Sequence, residues 1–335
     1  MNPCPASGTF IVTLSLEHRL AMLESFGLLV PAPRSAEMLS FNRSFVDLMR
    51  RVVAPHTLLV IDSYDLMDKL NARASELVRS DSTKVILSTC ADMAEYIGCQ
   101  CLAINRLYDP HGACIGHGPR PGFPPIDVQL DELSNYLLGK SVVLIEDGVF
   151  TGGTLEFVLK ELSARGHSVS DVLIGFCKLN AVDALKRGLN GRVKTVIDVK
   201  EVIDWLPFHD IFPLMPHSGR VIGYESGCSP GEYLPMTVGG ASFSYPYIEP
   251  FGMPGEWAGV SHEAAQEISR FGLLKSIELF ELMERLNRRH VLVRDMMRSR
   301  HVSLPHRINK LIDPAHTEMR VLDYLRGVLG IFERK

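Results

Sequence analysis

No stretch of the chain approaches the roughly 18 consecutive apolar residues that a membrane-spanning helix requires. The opening residues, MNPCPASGTFIVTLSLEHR, place no basic segment ahead of their short apolar run. These two absences argue against a membrane span and a secretory leader, and the expected location is the cytoplasm. Cysteine is sparse, with seven scattered over 335 residues, unlike the disulfide framework of a small secreted domain. Cys99 and Cys101 would share a face if extended, but no second pair completes a zinc set. A strong excess of one charge is also lacking: a formal net charge of -4 offers no global attraction to nucleic acid or anionic lipid. Internal repeats and low-complexity tracts are absent.

What is present is ample apolar material, 46% of residues, in a chain longer than one core usually serves. Residues 36–55 space Phe41, Phe45, Leu48 and Val52 at helical intervals before Pro55. TLLVID (57–62) reads as a strand, and Tyr64 to Arg79 as a helix. From Lys84 the rhythm becomes short apolar runs alternating with helical segments, the pattern of a parallel α/β sheet. The strands are expected at KVILST, CQCLAINRLY, SVVLIED, VSDVLIGFCKL and VKTVIDV. The expected fold class is therefore α/β: a doubly wound, mostly parallel sheet of about five strands, with an irregular hood and a helical C-terminal extension.

The divisions expected are an N-terminal helical or hood element (1–79), the core (80–205), an irregular cap (206–258) and a helical extension (259–335). Residues 108–125, crowded with Gly and Pro, are expected to form a long mobile connection. The last seventy residues carry fourteen Lys and Arg interleaved with nine acids, which suits a solvated helical face or an oligomer contact better than a nucleic-acid surface.

The most informative segment is VVLIEDGVFTGGT, residues 142–154. VVLI suits a central parallel strand buried on both faces. Glu146 and Asp147 then emerge at its carboxyl end, the edge where open α/β sheets bind ligands. Adjacent carboxylates there can accept hydrogen bonds from the two hydroxyls of a ribose and help hold a magnesium ion. Thr151, Gly152, Gly153 and Thr154 open a helix whose free N–H groups and positive dipole end suit an anion, with glycines that admit close approach of a phosphate. Together they describe a site for ribose 5-phosphate.

This order of strand, two acids, three variable residues and Thr-Gly-Gly-Thr resembles the signature of the type I phosphoribosyltransferases. The resemblance covers roughly residues 80–205. It implies transfer of ribose 5-phosphate from phosphoribosyl pyrophosphate (PRPP) to a nitrogenous base or amine, with release of pyrophosphate and with Mg2+ held mainly through the substrate near Glu146 and Asp147. It further implies a pyrophosphate loop after an upstream strand, here Ser88, Thr89, Cys90 and Ala91, and a basic residue on the next strand, here Arg106. Ser88 to Ala91 lack the family's usual glycines, Lys or Arg and suit a plain strand-to-helix turn as well. His111, His117 and Arg120 fall where such enzymes keep a loop that closes over the sugar; they suit pyrophosphate contact or simple exposure.

Relatives acting on 6-oxopurines usually carry an acid just before the cradle threonine. Phe150 stands there and cannot transfer a proton, so hypoxanthine and guanine are disfavoured acceptors. Lys178, Trp205 and Phe208, with Asp210, are candidates for base binding, although Trp205 and Phe208 serve equally to seal the cap. The expected partners are PRPP, a small-molecule base and a second copy of the chain as a dimer, with no nucleic acid and no membrane. The alternative is a non-catalytic PRPP- or nucleotide-binding regulator of the same fold.

Overall fold

The computed structural model describes residues 8–108, 113–120, 123–188, 192–215, 218–222, 243–252, 255, 258–297 and 318–334. In chain order the elements are β1 (Thr9–Leu14), α1 (Leu16–Ser25), α2 (Ala36–Val52), β2 (Thr57–Asp62), α3 (Ser63–Ser80), β3 (Lys84–Ser88), α4 (Ala91–Ile97), β4 (Gln100–Cys101), β5 (Ile104–Tyr108) and β6 (Cys114–Pro119). They continue with α5 (Ile126–Leu137), β7 (Ser141–Val149), α6 (Gly153–Ala164), β8 (Ser168–Lys178), α7 (Asp183–Gly188), β9 (Val193–Val199), β10 (Val202–Pro207), β11 (Arg220–Ile222), β12 (Phe243–Tyr245), α8 (His262–Asn287), α9 (Val293–Met297) and α10 (Val321–Phe332).

By internal contacts the chain forms two units, whereas the sequence suggested four consecutive pieces. The first comprises residues 1–9, 61–105 and 117–203, and the second residues 10–60, 106–116 and 204–335. α3, grouped with the hood on the sequence, is part of the first unit.

The first unit is built on a five-stranded sheet in the order β4-β3-β7-β8-β9, with every adjacent pair parallel. Counting only its own strands, the order is 2-1-3-4-5, a doubly wound arrangement. Val142, Leu144, Val172 and Ile174 join Leu130, Leu133 and Leu137 of α5 and Leu155, Val158 and Leu162 of α6 in one apolar core. α3 packs on β3, β7 and β8. Its start is set by Asp62, whose carboxylate accepts from the N–H groups of Tyr64 and Asp65 at 2.9 and 3.1 Å. Its buried Leu66, Met67, Leu70 and Ala74 follow the helical period.

Two expectations are corrected here. CQCLAINRLY is not one strand: β4 belongs to the five-stranded sheet and β5 to a four-stranded sheet of order β12-β11-β5-β6. The break falls at Leu102 and Ala103, both fully buried. The Ala103 N–H donates to Gln129 Oε1 at 2.8 Å and its carbonyl accepts from Gln129 Nε2 at 3.4 Å. A side chain thus takes the bonds a sheet neighbour would otherwise provide. The connection over 108–125 also contains a strand, β6; residues 109–112 and 121–122 lie outside the described residues.

In the second unit, α2 starts at Ser35, whose hydroxyl accepts from Met38 N–H. It buries Met38, Phe41, Phe45, Leu48 and Met49 and packs against α8, on which α10 also lies. A three-stranded sheet, β10-β1-β2, brings in β1, and α1 follows it; neither element was anticipated. The 206–258 segment includes β11, β12 and the 3-10 turn Phe208–Ile211, while residues 216–217, 223–242, 253–254 and 256–257 are outside the described set. Of the basic C-terminal residues, Arg270, Lys275, Arg289, Arg294, Arg320 and Arg326 each pair with a nearby acid.

One of these pairs links α8 to the segment after it. Glu284 accepts from Arg320 Nε at 2.8 Å and from Val291 N–H at 3.1 Å. Burial acts to raise the Glu284 pKa, but the Arg320, Val291 and His290 hydrogen bonds prevail and hold it at about 2, below its ordinary 4.5. The stabilisation is therefore complete above the ordinary carboxylate value and lost as pH falls through the depressed one. Glu284→Gln is expected to cost about 2 kcal/mol at neutral pH. In thermal melts the gap from the parent should close as pH approaches 2.

Candidate active site

In an open sheet of this order, the crevice forms outside the carboxyl ends of the two strands flanking the point where strand order reverses. Here these are β3 and β7, which lie side by side with Ser88 opposite Ile145. β7 continues through Glu146 and Asp147 to Val149, two residues further than expected. It pairs with β8 through Glu146↔Ile174 and Gly148↔Phe176, so both acids stand on ordered sheet rather than on a loose turn. A Cβ at Gly148 would lie 2.3 Å from the ring of Phe176, so any side chain there requires that buried ring to shift.

Glu146 and Asp147 are half-buried neighbours of like charge. Burial, and then the charge of Asp147, push the Glu146 carboxyl well above its ordinary range, while the Thr89 hydroxyl donates to it and opposes the shift. Asp147 Oδ1 accepts from the Gly148 N–H at 2.8 Å. A raised acid beside a second carboxylate is relieved by a cation. Among the described residues there is no group of three or more potential metal ligands. Glu146 and Asp147 could contribute oxygen ligands to a hard cation such as Mg2+.

The turn after β7 leads directly into α6. Gly152 takes the left-handed conformation with φ 85°, where a side chain would be strained. A Cβ at that position would also come within 3.0 Å of the Ala181 carbonyl oxygen. Thr151 is exposed, and Gly153 and Thr154 are partly so. The first N–H groups of this 12-residue helix have no intrahelical acceptor and carry the positive end of its dipole. The turn Thr151–Thr154 therefore sets the start of α6 just beyond the two carboxylates.

Ser88 to Ala91 make a compact turn laid against the end of β7. The Thr89 N–H and hydroxyl both donate to the Ile145 carbonyl, at 3.2 and 3.3 Å. Ser88 Oγ accepts from the Cys90 N–H at 3.1 Å and donates to the Cys90 carbonyl at 3.0 Å. Ser88, Thr89 and Cys90 are buried, so the turn spends much of its polarity on itself.

The remaining sequence candidates separate. Lys178 pairs with Glu201 at 3.7 Å. Arg106 belongs to the second unit, with its guanidinium carbon 5.7 Å from the Tyr108 ring centroid. Trp205 Nε1 donates to Thr13 Oγ1 at 3.2 Å. Phe208 is completely buried, stacked on Phe45 at 4.2 Å, which is a core-sealing position and leaves no face for a base. Asp210 is buried and accepts from the Gly219 N–H at 2.7 Å. His117 stacks on Phe157 of α6 at 4.7 Å, and Phe150 packs edge-on against Phe176. His111 lies outside the described residues.

Sequence reasoning underweighted Arg120. It follows β6, and its guanidinium lies in the electrostatic reach of Cys90, Asp92, Asp147 and Cys101. No local pattern marks it, because its neighbours come from α4, β4 and β7.

No family model matches the chain. A hypoxanthine/guanine phosphoribosyltransferase of Methanohalophilus mahii is 36% identical over 61 residues, which is 18% of this chain and 32% of that protein. The chain thus spans about a third of the length of that curated relative. Among solved structures, an adenine phosphoribosyltransferase from Thermoanaerobacter pseudethanolicus aligns with 13% identity over 39% of this chain and 80% of its own, with a TM-score of 0.25. An orotate phosphoribosyltransferase from Aeropyrum pernix aligns with 14% identity over 53% and 92%, with a TM-score of 0.26. At those values the description of the fold rests on the sheet order itself. With 61 residues of sequence likeness and a parallel core that ends in adjacent carboxylates, the chain is similar to the type I phosphoribosyltransferases, the family that residues 142–154 resemble.

Proposed function

We propose that the protein is a phosphoribosyltransferase that displaces pyrophosphate from C1 of PRPP with a ring or amine nitrogen. The observation that carries this reading is the pair Glu146 and Asp147 at the end of β7, followed at once by the Thr151–Thr154 turn into α6. A reader of two hydroxyls beside a phosphate cradle matches a ribose 5-phosphate.

In the reaction, the nitrogen lone pair forms a bond to C1 as the C1–O bond breaks, and the electron pair leaves with the diphosphate. The nitrogen's proton passes to solvent or to the departing anion. Positive charge grows on the ring while negative charge grows on the leaving group, so positioning and electrostatics matter more than a strong base. Asp147 and Glu146 would accept from the two ribose hydroxyls and hold C1 towards the acceptor. The α6 N–H groups with Thr151 and Thr154 would hold the 5-phosphate. Mg2+, held by the substrate beside the two acids, would supply charge neutralisation of the diphosphate when bound.

Phe150 favours acceptors other than 6-oxopurines, because nothing at that position can move the purine proton. The relative from M. mahii is named for hypoxanthine and guanine, so acceptor choice is the sharpest point to test. Pyrophosphate release measured across orotate, adenine, hypoxanthine, guanine and simple amines should show turnover with a member other than hypoxanthine or guanine. Faster turnover with hypoxanthine or guanine than with all others would refute the acceptor assignment, and no release with any member would refute the activity.

A further inference from the structure

The 3-10 turn Phe208–Ile211 of the second unit buries two ionisable side chains in succession. His209 and Asp210 are each 6% exposed, and the turn lies against α1 and α8. None of the residues that α8 buries is ionisable. From α1 comes Arg19, only 3% exposed, and around the end of β1 stand Thr13 and Ser15, also buried. Glu17 of α1 accepts instead from the Arg34 N–H and the Asn42 amide, and His18 is buried beside it. The His209 ring is bonded at both nitrogens. Its Nδ1 lies 2.6 Å from Ser15 Oγ, and its Nε2 lies 3.0 Å from Arg19 Nη2.

A guanidinium stays charged and only donates, so Nε2 has to be the accepting nitrogen and the ring proton sits on Nδ1. Nδ1–H then donates to Ser15 Oγ, and the Ser15 hydroxyl donates to the Thr13 carbonyl at 3.3 Å. The donors run from Arg19 through His209 and Ser15 to Thr13 without conflict. Asp210 introduces one. Its Oδ1 lies 3.1 Å from the same Nε2, and an ionised carboxylate only accepts. One nitrogen thus faces an obligate donor and an obligate acceptor at nearly equal distance, and it satisfies one at a time. Neutral His209 bonds Arg19. Protonated His209 bonds Asp210, and its charge then repels the guanidinium. Ser15 is a pivot, since Nδ1–H donates to it in both states. Asp210 is held in place for the second state, because the Gly219 N–H donates to Oδ1 and the Tyr247 N–H to its carbonyl, both at 2.7 Å.

We propose that His209 is a proton-operated latch of the second unit, which ties α1 to the Phe208–Ile211 turn through Arg19 when neutral and exchanges Arg19 for Asp210 when protonated. α1 is therefore held on the alkaline side and loosened as pH falls. The device does not depend on the reading of residues 142–154.

Two readouts on the full chain decide it. Long-range 1H–15N spectra, recorded from about pH 8 to about pH 5, report which ring nitrogen carries the proton. The His209 signal is the one lost in His209→Gln, or displaced in Ser15→Ala if the glutamine variant does not fold. In the parent the proton is expected on Nδ1 at the alkaline end, with Nε2 gaining one as pH falls. Arg19→Met, which removes the repelling charge, should raise the proton affinity of His209 by about tenfold or more, and Asp210→Asn should lower it by a similar factor. Hydrogen exchange, corrected for its intrinsic pH dependence, should show Leu16–Ser25 losing protection over the same transition. A proton on Nε2 in the neutral parent overturns the inference, as does a ring that keeps one state until the chain unfolds. Displacement by the two charge variants in the same direction, or protection of α1 that is constant through the titration, overturns it as well. If neither charge variant folds, the parent's tautomer and exchange profile carry the test.

Discussion

Asp147→Ala is expected to lose PRPP binding by at least about a hundredfold, because a carboxylate that accepts from ribose hydroxyls makes charge-assisted bonds of about 1.5–3 kcal/mol each. Such a bond has no replacement in alanine, and the methyl group cannot help hold Mg2+. The fold should survive the change. Asp147 is only half-buried, it accepts from the adjacent Gly148 N–H, and it repels Glu146. Removing one of two like charges lets the Glu146 carboxyl fall back towards its ordinary range, so the melting temperature should hold or rise. Calorimetric titration with PRPP and Mg2+, run beside a thermal melt, separates these effects. Intact binding in Asp147→Ala would remove this residue from the site. Asp147→Asn, which keeps an acceptor and loses the charge, should lie between.

Gly175→Ala is expected to be the most damaging small substitution in the first unit. Gly175 is buried in β8 beside β7. A Cβ there would lie 2.4 Å from the Asp147 carbonyl oxygen and 2.8 Å from Leu66 Cδ2. The leucine can turn aside, but the carbonyl belongs to the part of β7 held to β8 through Glu146↔Ile174 and Gly148↔Phe176 and cannot move without shifting Asp147. Overpacking of this kind costs about 1–3 kcal/mol, occasionally more, and we expect the upper end. The melting temperature should fall by several degrees and PRPP affinity should fall with it. Gly330→Ala serves as the control: it lies in α10, where nothing stands within 4 Å of the added carbon. There, alanine should be neutral or stabilise by up to about 1 kcal/mol. Equal behaviour of the two variants would show that the close approach at Gly175 carries no weight.

These two sites illustrate different kinds of legibility. The role proposed for Asp147 is local in origin: an apolar strand, two acids, a glycine turn and a helix start lie within residues 142–154. The same locality explains why α2, α3 and α8 were anticipated, since apolar period and capping residue are neighbours in sequence. The close contact at Gly175 joins β8 to β7 and α3, and no local pattern encodes it. The break in CQCLAINRLY is similar: its apolar residues read as one strand, but Gln129, 26 residues away, takes the Ala103 backbone out of the ladder.

Residue roles outside the motif depended most on tertiary structure. Phe208, a candidate both for base binding and for sealing the cap, is core because Phe45 and Phe212 meet its ring. Arg120 looked like one of several loop cations until its buried Nε and its carboxylate neighbours were placed. By itself, then, the sequence determined the α/β class and the helices α2, α3 and α8, and it carries the proposed chemistry of residues 142–154, since each depends on interactions between residues a few positions apart. Only the tertiary structure decided which strands are neighbours, where α3 belongs and which arginine stands beside the carboxylates. Those outcomes depend on contacts between distant segments, whose closure is governed by packing and hydrogen-bond satisfaction that no local window contains.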